Sequence, residues 1–148
     1  MEGLTLSPLK LIAGEKGNVM HALKATDNTF VSFGEAYFST VIHGIAKGWK
    51  RHNRMTLNLV VPVGAIRFVV VDDRGATPEV FETILGPEVN YQRLTVEPGL
   101  WVAFQGIGTE LNLLLNLASI PHDPTESDSL SMDDNHLGFK QWDINQLG

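Results

Sequence analysis

Residues 45–74 read IAKGWKRHNRMTLNLVVPVGAIRFVVVDDR, and the pattern of this stretch decides the fold class. Lys47, Lys50, Arg51 and His52 gather around Trp49, and two short apolar runs follow at 57–61 and 65–71. Both runs are rich in Val, Leu and Ile, and Pro62-Val63-Gly64 between them fits a hairpin turn. A charged group leading into a hairpin of very apolar strands predicts a β-barrel with polar chemistry in its mouth.

Outward from this stretch the same rhythm continues. Residues 34–41 (GEAYFSTV) alternate as a strand, with Tyr37 and Ser39 on one face and Phe38 and Thr40 on the other. Residues 80–85, 92–96 and 100–104 form further short strands between Gly- and Pro-containing turns. The apolar run 111–118 suits a buried strand better than a helix because of its length and flanking turns. Residues 1–13, interrupted by Pro8, read as an edge strand or arm, since proline cannot donate to a central ladder. Short strands separated by turn signals predict an all-β chain, an antiparallel sandwich or jelly roll.

Composition narrows the function classes. The 148 residues suit one domain with a real core, and 43% hydrophobic against 19% charged residues is a globular balance. Residues 121–148 form a polar C-terminal segment within that domain; the five acids of its 122–136 stretch, Asp123, Glu126, Asp128, Asp133 and Asp134, are expected to be solvated, with Phe139 and Trp142 as pins. The net charge of -6 argues against nucleic acid or an anionic membrane as partner and makes the basic cluster a candidate site for an anionic small molecule. Cysteine is absent, so disulfides, thiolate metal sites and a thiol nucleophile are excluded. No signal-like segment and no run near the roughly 18 apolar residues of a membrane span is present, so a cytoplasmic protein is expected.

The order of GEAYFSTV, GIAKGWKRHNRMT, IRFVVVDDR, VEPGLWVAF and IGTELNLLLNL resembles the cupin-fold nucleotide-sugar epimerases of the dTDP-4-dehydrorhamnose 3,5-epimerase type, over residues 15–124. The resemblance implies a cupin-type antiparallel jelly-roll β-barrel. It also implies that Lys47, Gly48 and Trp49 match the family motif while Lys50 stands where the catalytic histidine belongs. Val102 replaces a second family histidine, His122 is the nearest equivalent of the family's general-acid tyrosine, and Lys16 falls near an arginine that contacts ligand in relatives.

On a strand Lys50 and His52 share a face and Arg51 opposes them; in an epimerase-like scaffold that face points into the barrel. The reading the resemblance implies is therefore an isomerase acting by proton abstraction and return on a keto-sugar nucleotide, dTDP-linked substrates being the family's, or on a related carbonyl compound. Lys50 would serve as base or enolate-stabilising cation and His122, beside Asp123, as acid. Lys47, His52, Trp101, Lys16 and His43 are the candidate substrate contacts. Metal-binding cupins use His-x-His, Glu and a distant His; Lys50-Arg51-His52 and Val102 do not supply that set, so neither metal nor other cofactor is expected. A homodimer is expected, because small jelly rolls bury edge strands across a two-fold and the N-terminal arm could exchange there. Two other readings stay open: the same scaffold used for a secondary-metabolite cyclisation or isomerisation, and a non-catalytic binding protein.

Overall fold

The computed structural model describes residues 1–147. Its strands are β1 (Leu4–Pro8), β2 (Leu11–Ile12), β3 (Val19–Met20), β4 (Glu35–Thr40), β5 (Ala46–His52), β6 (Leu57–Val63), β7 (Ile66–Asp72), β8 (Glu79–Leu85), β9 (Gln92–Val96), β10 (Trp101–Gly106), β11 (Leu113–Ala118) and β12 (Ser127–Ser129). They form two facing five-stranded sheets, β1-β9-β6-β11-β4 and β12-β5-β10-β7-β8, with β2 and β3 as a separate small hairpin. All strand pairings are antiparallel, and the whole is a cupin-type jelly roll. The one helical element among the described residues is a 3-10 turn at Ile144–Gln146, so no helix there is long and apolar enough to cross a membrane.

The strand assignments from sequence hold, but the expected hairpin of the two central apolar runs does not. β6 pairs with β9 and β11, whereas β7 pairs with β10 and β8 in the other sheet. The Pro-Val-Gly punctuation therefore carries the chain between layers instead of folding it back on itself. Gly64 makes this crossing at φ +80°, where a Cβ would lie 2.3 Å from the Leu111 carbonyl oxygen. Central positions in separate layers explain why both runs are apolar at nearly every residue, a pattern that does not distinguish a hairpin from a crossing.

Alternate residues of the two sheets meet in the barrel interior, where Leu57, Leu59, Val61, Phe68, Val70, Leu94, Val102 and Leu114 pack together. The outer face of the second sheet is also covered. After β12, Leu137, Phe139 and Trp142 cross it and pack on Trp49, Val69, Val71, Trp101 and Ala103. Phe139 and Trp142 do pin the C-terminal segment: their rings lie 4.9 Å apart and the Arg67 guanidinium sits 5.3 Å from each. The N-terminal arm is the edge strand expected, with Pro8 opposite Gln92 on β9.

Candidate active site

A cavity of about 240 Å³ lies between the sheets. The second sheet lines it with Lys47, Gly48, Lys50, His52, Val102 and Phe104, and the first with Tyr37, Leu57, Leu59 and Asn116. Simple alternation brings Lys50 and His52 to one face but would turn Lys47 away. A bulge corrects this: Val102 opposes Lys50 and Phe104 opposes Lys47, so two residues, Gly48 and Trp49, face Ala103 alone. Trp49 turns outward and is buried against Phe139 and Trp142. Gly48 has φ +136°, and a Cβ there would come within 2.8 Å of the Ala103 Cβ. The motif Lys47-Gly48-Trp49-Lys50 is thus a device for pointing two cations into one cavity.

His52 closes the strand and is held from behind. Its Nδ1 meets the Glu126 carboxylate, which is only 4% exposed. The other carboxylate oxygen accepts from the backbone N–H groups of Asn53, Arg54 and Met55 at 3.2, 3.0 and 3.3 Å. With Nδ1 donating to the carboxylate, Nε2 is the ring nitrogen left to take a proton. Pairing of Ser127, Asp128 and Ser129 with β5 fixes Glu126 in place. The expectation that all five acids of residues 122–136 are solvated is corrected at Glu126, whose burial is made tolerable by these donors.

Burial pushes the Glu126 carboxyl up, but the hydrogen bond from His52, the amides of Arg54 and Met55 and the His52 charge outweigh it and hold its pKa below the ordinary 4.5. A carboxyl depressed in the folded state stabilises above the ordinary value and loses that contribution as pH falls through the folded one. The melting temperature should therefore drop on acidification below about pH 4.5. Glu126→Gln should cost about 2 kcal/mol near neutrality, as for hydrogen bonds to a charged group, and flatten that acid limb. Parallel melting curves for the two proteins between pH 3 and 7 would contradict the assignment.

On the opposite wall Asn116, in register with Tyr37, donates from Nδ2 to the Tyr37 hydroxyl at 2.9 Å. Since the phenol oxygen accepts this bond, its own proton is available to another partner. Lys47 reaches from β5 over Phe104 of β10 to the end of β4, with Nζ 5.7 Å from the Phe104 ring centroid and 3.5 Å from the Thr40 carbonyl oxygen. Two cations, an imidazole and a phenol thus face one another over the apolar floor of Leu57, Leu59, Val102 and Phe104. Among the described residues no cluster of His, Asp and Glu has the makings of a metal site.

Of the residues singled out from sequence, the structure brings Lys47, Lys50 and His52 together and leaves the other four outside the lining. Trp101 points to the outer face, where its Nε1 donates to Asp73 at 3.0 Å and Arg51 stacks 4.6 Å above the ring. Val102, its neighbour, takes the inward position by alternation. His122 is exposed on the loop after β11, next to an Asp123 that pairs with Arg54 at 2.9 Å. Lys16 sits in the exposed turn between β2 and β3, and the Nδ1 of exposed His43 lies 3.0 Å from the Ile107 carbonyl oxygen. Tyr37, Asn116 and Glu126 were not singled out. Asn116 carried a signal, as the one polar residue of Leu113–Ala118.

No protein-family profile matches the chain, and no curated protein sequence matches it. Solved structures do. A dTDP sugar isomerase from Desulfovibrio desulfuricans G20 is 37% identical, over 95% of this chain and 91% of that one, with a TM-score of 0.90. A histidine-to-asparagine variant of the 3,4-ketoisomerase QdtA from Thermoanaerobacterium thermosaccharolyticum, in complex with TDP-4-keto-6-deoxyglucose, is 22% identical over 86% and 88% of the two chains, with a TM-score of 0.71. The dTDP-4-dehydrorhamnose 3,5-epimerase from Sulfolobus tokodaii is 20% identical over 88% and 78%, with a TM-score of 0.78. At these lower identities the last two share the fold.

Proposed function

The chain belongs to the dTDP-sugar isomerases of the epimerase-like cupin fold, and from that membership we propose that it epimerises a dTDP-linked 4-keto-6-deoxyhexose at the carbon beside the ketone. The observation that carries the reading is a carboxylate-held histidine and a phenol on opposite walls of one apolar cavity.

His52 Nε2 removes the proton from the carbon next to the ketone, and the electron pair moves onto the carbonyl oxygen as an enolate. Lys50 supplies positive charge for that oxygen, in a cavity whose apolar floor strengthens the interaction. Tyr37 returns a proton to the same carbon from the other face as the carbonyl re-forms, and exchange with water resets both residues. Glu126 fixes the His52 ring and its tautomer and balances the imidazolium while it exists. Lys47, at the same cavity, is the natural partner of the nucleotide's diphosphate. This division of labour moves the base from Lys50 to His52 and the acid from His122 to Tyr37. A homodimer fits the same picture: among the described residues β4 has one edge free, and Val31, Phe33, Phe38, Ile42 and Ile45 on and around it are exposed apolar residues that a second copy would cover.

Incubation with TDP-4-keto-6-deoxyglucose, followed by proton NMR of the sugar ring, tests the proposal. Inverted configuration beside an unmoved ketone is expected. A ketone shifted to the neighbouring carbon would replace two-wall chemistry by one-wall proton shuttling, and an unchanged sugar would overturn the reading.

A further inference from the structure

The bulge that turns Lys47 and Lys50 into one cavity follows from a mismatch of length. Ala46 opposes Gln105 and Arg51 opposes Trp101, so β5 takes five steps between two fixed pairs where β10 takes four. One residue of β5 must be surplus, and where it falls decides the direction of Lys47. With the surplus at Gly48 and Trp49, Lys47 opposes Phe104 and lines the cavity. With the surplus displaced to the N-terminal side of Ala46, Lys47 would oppose Gln105 and face the outer side, because a one-residue slip reverses each side chain it includes. The direction of this lysine therefore depends on what holds residues 44–46 against the end of β10.

Backbone pairing contributes, through the Gly44 N–H donating to the Gly106 carbonyl oxygen at 2.8 Å. The side chain of Gln105 does more. It is fully buried on the outer side of β10, and its amide is used at both ends. Nε2 donates to the Gly44 carbonyl oxygen at 3.1 Å and to that of Trp142 at 2.6 Å, and Oε1 accepts from Arg67 at 3.2 Å. Gln105 thus joins the entry to β5, the C-terminal segment and β7. The place opposite it accepts the small Ala46, whereas a lysine there would bring its ammonium to the buried Arg67 guanidinium. We infer that Gln105 is a positioning residue, which from the face away from the cavity fixes where β5 bulges and so holds Lys47 toward the ligand. This inference rests on the proposed role of Lys47 at the nucleotide's diphosphate and adds what keeps the lysine there. Lys50 and His52 lie beyond the bulge, on the length of β5 that β12 holds. Packing alone would ask only for a side chain of this volume, and methionine meets that requirement.

The test is Gln105→Met, which removes all three hydrogen bonds, read in two ways. The first needs no ligand. Through-space NMR contacts between the Lys47 methylenes and the Phe104 ring are expected in the wild type, where Nζ lies 5.7 Å from the ring centroid. They should be lost in Gln105→Met, while the contacts of Arg51 with the Trp101 ring persist. The second is calorimetric binding of TDP. Gln105→Met should weaken it by about tenfold when Lys47 is present, and by less than about twofold when introduced into Lys47→Met, because the two residues act as one unit. Absence of the Lys47–Phe104 contacts in the wild type, their persistence in a folded Gln105→Met protein, or an equal loss of TDP affinity in both backgrounds would overturn the inference. Gln105→Glu, which keeps an acceptor for Arg67 and loses both donated bonds, is read in the same way if the methionine protein does not fold. A wild type that does not bind TDP is a different result: it overturns the nucleotide reading, and the NMR contacts still decide on Gln105.

Discussion

Replacing His52 by asparagine is expected to lower turnover of a dTDP-4-keto sugar by about 1,000-fold, within the range for loss of a positioned base. Asparagine still offers an amide donor to Glu126, so the β5–β12 pairing and the fold should survive. Nucleotide-sugar affinity should change little, because the base acts on a carbon-bound proton and the loss falls on kcat. Measured kcat and KM, with a melting curve as control, check this. Activity within tenfold of wild type would remove His52 from the chemistry and return the role of base to Lys50.

The second large effect concerns Lys50. Lys50→Met keeps the unbranched stem and deletes the ammonium. Lys50 is exposed on its strand, so stability should move by no more than about 0.5 kcal/mol. Turnover should fall by about 100-fold, as expected for losing one charge that faces a developing oxyanion. The two variants separate the roles. If Lys50 only neutralises the enolate, the methionine protein still has an intact base and should retain slow exchange of the substrate proton with solvent. A Lys50→Met enzyme with full activity would show that the enolate is stabilised elsewhere.

These roles were partly legible in the chain itself. Strands announce themselves by length and by the turns that bound them, so β4 and β7 to β11 follow from pattern alone. Partner choice is not encoded in that way. The runs now seen as β6 and β7 are apolar on both faces, and only the packing of two layers decides that they are separated by a crossing. The cluster around Trp49 pointed to the cavity because charge is scarce on so apolar a background. The bulge that aims Lys47 and Lys50 together leaves only Gly48 as its trace. Glu126 was lost among acids that do face water, since burial of one carboxylate depends on three amides brought to it by the fold. Trp101 and Val102 illustrate the opposite error: composition favoured the aromatic as a ligand contact, while alternation turned it outward.

In the proposed reaction this cavity removes a proton from the carbon beside a sugar ketone. Incubating the wild-type protein with TDP-4-keto-6-deoxyglucose in deuterium oxide, and following the ring protons by NMR, tests it directly. The signal next to the ketone should disappear as deuterium enters, at a rate cut by about 1,000-fold in His52→Asn. A sugar that binds in the cavity but keeps that hydrogen indefinitely would contradict it.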